Sequence, residues 1–177
     1  MQPIRAPPAG GADILNAMST AAFASLRQLV RGVRVASLGT LHQGEPYVSL
    51  VPYAVLEDGS GVVVHVSALS AHTGDMLASP RVSLMIAEAD AAGALAQALP
   101  RVTIQADAER LAASDPRWGG ARDAYLSRFP HAARILELPD FSLFVIRPVS
   151  IRLIGGFAQA VTLPAEAFAT AMAGQKH

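Results

Sequence analysis

Apolar and polar positions change period several times along the chain, and each change marks an element. Phe23, Leu26, Leu29 and Val30 recur at a spacing of three and four residues, which predicts a helix running to Arg31. Ser19 or Thr20 offers its cap, and Gly32 stands where a C′ glycine belongs. From Val33 onward strand-like runs follow. Val33–Leu41 and Pro46–Val55 read as strands on either side of the turn His42-Gln-Gly-Glu45. Gly61–Ser67 reads as a third strand, Ala68–Leu77 as a short polar helix, and Val82–Ile86 as a fourth strand.

Residues 88–99 are rich in Ala and predict either a short helix or a loop. Pro100–Arg110 alternates: Val102, Ile104, Ala106 and Ala108 face one way, towards a core, and Thr103, Gln105, Asp107 and Glu109 face the other. Ser114–Arg117 opens a helix with Pro116 in its first turn, where a missing N–H is harmless. That helix continues through Tyr125, Leu126 and Phe129 and is interrupted at Pro130, with a second short piece to Leu136. Phe141–Phe157 reads as a long strand, bent or broken at Pro148 and ended by Gly155 and Gly156. Pro164–Met172 reads as a terminal helix capped by Thr162.

Six strands with helices around them predict a mainly β, α+β fold closed into a small antiparallel barrel. Closure removes exposed strand edges. The segment between the third and fourth strands is long enough for one short helix across the barrel mouth. No internal repeat or composition shift marks a second domain. The expected organisation is a flexible Pro- and Gly-rich arm over residues 1–18 and one domain over 19–177.

Composition narrows the partners. The chain of 177 residues is 51% hydrophobic and 16% charged, yet it has no uninterrupted apolar run of membrane-spanning length. An apolar surplus without a membrane segment predicts burial between copies, hence a homodimer. The net charge is +0 and no basic patch stands out, which disfavours nucleic acid. Without cysteine there is no disulfide and no thiolate chemistry. A cytoplasmic location is expected. No His or carboxylate spacing predicts a metal site, and no Gly-x-Ser-x-Gly elbow anchors an acyl-transfer triad.

The junction of the third strand with the helix after it carries the clearest chemistry. Ser67, His72 and Thr73 cluster where free N–H groups and a positive helix end would meet an anion. There the chain resembles the pyridoxamine 5′-phosphate oxidase-like, FMN-binding split-barrel family, near its haem-utilisation branch. The resemblance is carried by Arg34–Leu41, Gly44–Tyr53, Ser67–Thr73, Pro80–Leu84, Pro100–Gln105, Tyr125–Pro130, Asp140–Ser142 and Gly155–Phe157, in the family's order.

The resemblance implies a six-stranded antiparallel split barrel with peripheral helices, a homodimer, and FMN at the dimer interface supporting oxidoreductase chemistry on an unread substrate. It implies phosphate contacts from Ser67, His72 and Thr73, and ring contacts from Ser37, Ser49, Val51 and Gln105. Relatives usually carry a basic residue at the position of Gly74 and Asn at that of Asp75. The carboxylate of Asp75 is therefore expected to repel a phosphate. The alternatives are a non-catalytic protein holding haem or another flat ligand in the same cleft, and a flavin-free scaffold. His65 reads as a strand residue without chemistry, His42 as a turn residue, and Trp118 as packing a helix onto the barrel.

Overall fold

The computed structural model describes residues 10–93, 95–156 and 159–173, with side chains from residue 20 onward. Helix α1 spans Gly10–Gly32. It begins well before the expected cap at Ser19 or Thr20, so residues 10–18 are helical rather than part of an extended arm. Residues 1–9 of that arm lie outside the described residues. Strands β1 (Val35–His42) and β2 (Glu45–Val55) form the expected hairpin. Gln43 and Gly44 both take positive φ, at 54° and 88°, in a two-residue turn whose twist matches the strands.

Strand β3 (Val62–Ser67) leads into helix α2 (Ala71–Ala78), and β4 (Arg81–Ala87) and β5 (Arg101–Arg110) follow. Between β4 and β5 only a short 3-10 turn forms, at Ala96–Ala98. Helix α3 is Trp118–Arg128 and α4 is Ala133–Leu136. Strand β6 runs Phe141–Gly156, β7 runs Gln159–Pro164 and helix α5 runs Glu166–Ala173.

The strands are ordered β3-β2-β1-β4-β5-β6-β7, and β6 also pairs with β3. That second pairing closes six strands into a ring and leaves β7 as an appended seventh. The long β6 makes both contacts possible. Its first part, Phe141–Ile146, pairs with β3, and residues from Ser150 pair with β7. The register against β5 slips between Gln105 and Ala106, which face Ser150 and Pro148. Val149 is thus left over as a bulge, and the break expected at Pro148 is a bend that sends one strand to two neighbours. At the closure, a Cβ on Gly61 would run into the Ile146 carbonyl oxygen, so only glycine lets β3 come this close.

Alternation on β5 holds as expected: Val102, Ile104, Ala106 and Ala108 are buried. They join Leu38, Val51, Tyr53, Leu84 and Phe144 inside the ring, where Leu26, Val30, Phe168 and Met172 of α1 and α5 complete one core cluster. A second cluster lies on the other face of β2, β3 and β6, where Ala54, Val63, Leu143 and Val145 receive Ala121 and Tyr125 of α3. Trp118 packs against this second cluster, as expected of a helix-packing residue.

Candidate functional site

Helix α2 is fastened to the ring by three of its polar side chains, those of His72, Thr73 and Asp75. His72 Nδ1 lies 3.0 Å from Ser49 Oγ on β2. Thr73 Oγ1 donates to the Ser67 carbonyl at 2.6 Å. The Asp75 carboxylate accepts from Thr40 Oγ1 at 2.7 Å and lies 2.8 Å from His42 Nδ1. Met76 beside them is buried in the core. The helix therefore covers the barrel mouth, as its length suggested.

These bonds fix what each side chain can offer. Thr73 and Asp75 are buried. Burial opposes ionisation of Asp75, but the hydrogen bonds from Thr40 and His42 and the nearby His72 hold its pKa below the usual carboxylate value. Burial lowers the pKa of His72, against the opposing pull of Asp75. His72 Nε2 is buried and makes no hydrogen bond. The Asp75 carboxylate was expected to repel a phosphate at the helix start. Instead both its oxygens are taken by β1, and it ties helix to hairpin.

The strand–helix junction is equally committed. Ser67 Oγ donates to the Asp140 carboxylate at 2.8 Å and accepts from the Leu69 N–H at 3.1 Å. The N–H groups of Ala68, Ser70 and Thr73 bond to the carbonyls of Asp140, Ser67 and Ser70. Both hydroxyls expected at a phosphate are thus used within the protein, and a carboxylate adjoins one of them. A phosphate there would meet a like charge with no cationic side chain bonded into the junction. These residues do not fit the phosphate end of FMN.

The seven residues expected at a flavin do not converge. Ser49, Ser67, His72 and Thr73 meet around α2. The Val51 side chain is 1% exposed, in the core. Ser37 and Gln105 lie on the outer face of the barrel. Ser37 pairs with Leu50 and Met85, and Gln105 pairs with Ser83 and accepts from the Ser150 hydroxyl at 3.0 Å.

This outer face is unusually apolar. Val48 and Leu50 are 67% and 68% exposed, and Met85 is 44% exposed. An open groove of about 370 Å³ runs beside them, lined among others by Leu41, Tyr47, Val48, Arg81 and Gln105. The Tyr47 ring packs 5.5 Å from that of His42. Sequence reading missed Asp140 and the His42–Asp75 pair. Neither has a local signal, because the partners are 73 and 33 residues apart.

The sequence profile of the pyridoxamine 5′-phosphate oxidase family matches residues 23–155. The chain belongs to that family. Over 140 residues it is 34% identical to the non-canonical haem oxygenase HOZ, chloroplastic, of Arabidopsis thaliana, covering 76% of this chain and 40% of that protein. A haem-binding protein from Mycobacterium smegmatis superposes with a TM-score of 0.75 and 31% identity, over 84% of this chain and 60% of the other. The haem storage protein HutZ from Vibrio cholerae gives a TM-score of 0.61 and 25% identity, over 78% and 89% of the two chains. This family member thus spans less than two thirds of the plant and mycobacterial relatives it resembles.

Proposed function

We propose that this chain is a haem-binding member of its family, acting as a pair of copies whose outer β1–β2 faces meet. The observation that carries the reading is the strand–helix junction, whose hydroxyls are bonded to protein groups and whose Ser67 is bonded to a carboxylate. That arrangement argues against a flavin phosphate and leaves the exposed apolar face as the ligand surface. A flat apolar macrocycle suits such a face, and the names of the haem-handling relatives support the same choice. Haem, when bound, supplies iron and porphyrin redox chemistry. The protein would supply the apolar surface of Val48, Leu50 and Met85 against the macrocycle.

The test is a pair of titrations on the purified chain. Haemin is expected to bind in the micromolar range or tighter, with a red-shifted Soret band. FMN fluorescence is expected to stay unquenched under the same conditions. Quenching by FMN without a haemin response would overturn the reading in favour of a flavoprotein. Response to neither would favour a ligand-free scaffold.

A further inference from the structure

We infer that the cleft between α3, α4 and the strands they cover is a second binding site. Its ligand is a small uncharged aromatic molecule carrying a hydroxyl group, with His65 as the hydrogen-bond partner. The cleft shares no lining residue with the outer groove beside β1 and β2, so the site stands apart from the haem reading.

Alternation along β3 places the imidazole. Val64 and Val66, on either side of His65, belong to the ring core, so His65 leaves on the opposite face with Val63. There its ring lies 5.7 Å from that of Tyr125 on α3 and 4.8 Å from that of Phe141, and the residue is 8% exposed. Neither ring nitrogen has a hydrogen-bond partner among the described residues, and neither is enclosed as His72 Nε2 is. Buried polar groups in folded proteins are almost always bonded. An imidazole this buried that lines a cavity of about 560 Å³ is short of a partner. That volume lies within the range of small-molecule sites, about 300–1,000 Å³.

The lining decides the class of ligand. Leu111, Trp118, Leu136, Phe141 and Leu143 make the walls apolar and aromatic. Arg110 and Ser142 also border the cleft, but their register partners, Phe144 and Val66, belong to the ring core. Both side chains therefore leave on that side of the sheet, and the guanidinium does not face a ligand. The Asp140 charge acts on His65 and opposes an anion, while no carboxylate lines the cleft to receive a cation. Burial keeps the imidazole neutral at pH 7. A neutral imidazole offers one N–H and one lone pair, and a hydroxyl can meet either. A phenol joins that hydroxyl to a ring that packs against aromatic walls.

Trp118 is the chain's single tryptophan and lines the cleft, so its emission reports occupancy. Wild type and His65→Phe are titrated with phenol, toluene and benzoate by Trp118 emission and by calorimetry. Circular dichroism checks that the variant is folded. Phenol should bind wild type saturably with one-to-one stoichiometry, and benzoate should give no response. His65→Phe should bind phenol about tenfold more weakly and toluene as well as wild type does. Nitrogen NMR of wild type should show one histidine ring moving with phenol and not with toluene, and this decides the matter if the variant does not fold. Phenol binding that is unchanged in folded His65→Phe, or lost together with toluene binding, overturns the role of His65. Tighter binding of benzoate than of phenol overturns the uncharged class. No saturable phenol response in wild type overturns the site and leaves a cleft for water alone.

Discussion

Two imidazoles with lowered pKa, His65 and His72, tie the stability of the fold to pH. His65 is 8% exposed, its ring 4.8 Å from Phe141 and 5.7 Å from Tyr125. Burial lowers its pKa from the usual 6.5, and the Asp140 charge only partly offsets this. The unfolded chain therefore takes up a proton more readily than the folded one. Stability is fully present above pH 6.5 and is lost as pH falls from there through the lower folded-state value. His72 acts in the same direction. His65→Phe keeps an aromatic side chain against Phe141 and Tyr125 and removes one titrating group. Its thermal midpoint should fall less between pH 7 and pH 5 than that of wild type. Parallel slopes in the two proteins would show that His65 does not carry the dependence.

At the element scale, α2 is the informative piece. It has eight residues, and no side chain caps its N-terminus. Isolated helices this short are unstable in water, so its bonds to the ring have to hold it. Thr40→Val conserves shape and removes the donor from a buried carboxylate. It should cost about 1–3 kcal/mol, read from urea or thermal unfolding. A loss near zero would mean that water replaces the hydroxyl and that the carboxylate is better solvated than its 5% exposure indicates.

At the scale of the whole molecule, the outer face of the ring is the open question that the chain's composition raised. Ser37 is flanked across the sheet by Leu50 and Met85, and Val48 lies two residues away from Leu50 on the same face. Large exposed apolar side chains concentrated on one sheet face mark an association surface. Leu50→Asp places a charge in the middle of it without touching the core. The wild type is expected to sediment as a dimer at micromolar concentration, and the variant as a monomer. A wild-type monomer would refute the pairing outright.

Much of this architecture was legible because it is written locally. Short apolar runs between turns placed β1 to β4, period-two alternation placed β5, and Gln43-Gly44 specified a hairpin turn. Pro148 marked the bend in β6. Strand β7 escaped because five of its six residues are exposed. A strand that buries almost nothing leaves no hydrophobic pattern to read. The start of α1 escaped because Gly10–Met18 carries no cap signal at its first residue. What the sequence alone determined, then, was which residues face water and which face a core, since that choice is made by each segment for itself. Tertiary structure decided how the polar side chains are spent. The register of β3 against β6 brought Asp140 to Ser67, and docking of α2 across the mouth brought Asp75 to Thr40 and His42. Such pairings join residues tens of positions apart, and nothing in either partner's neighbourhood encodes the other.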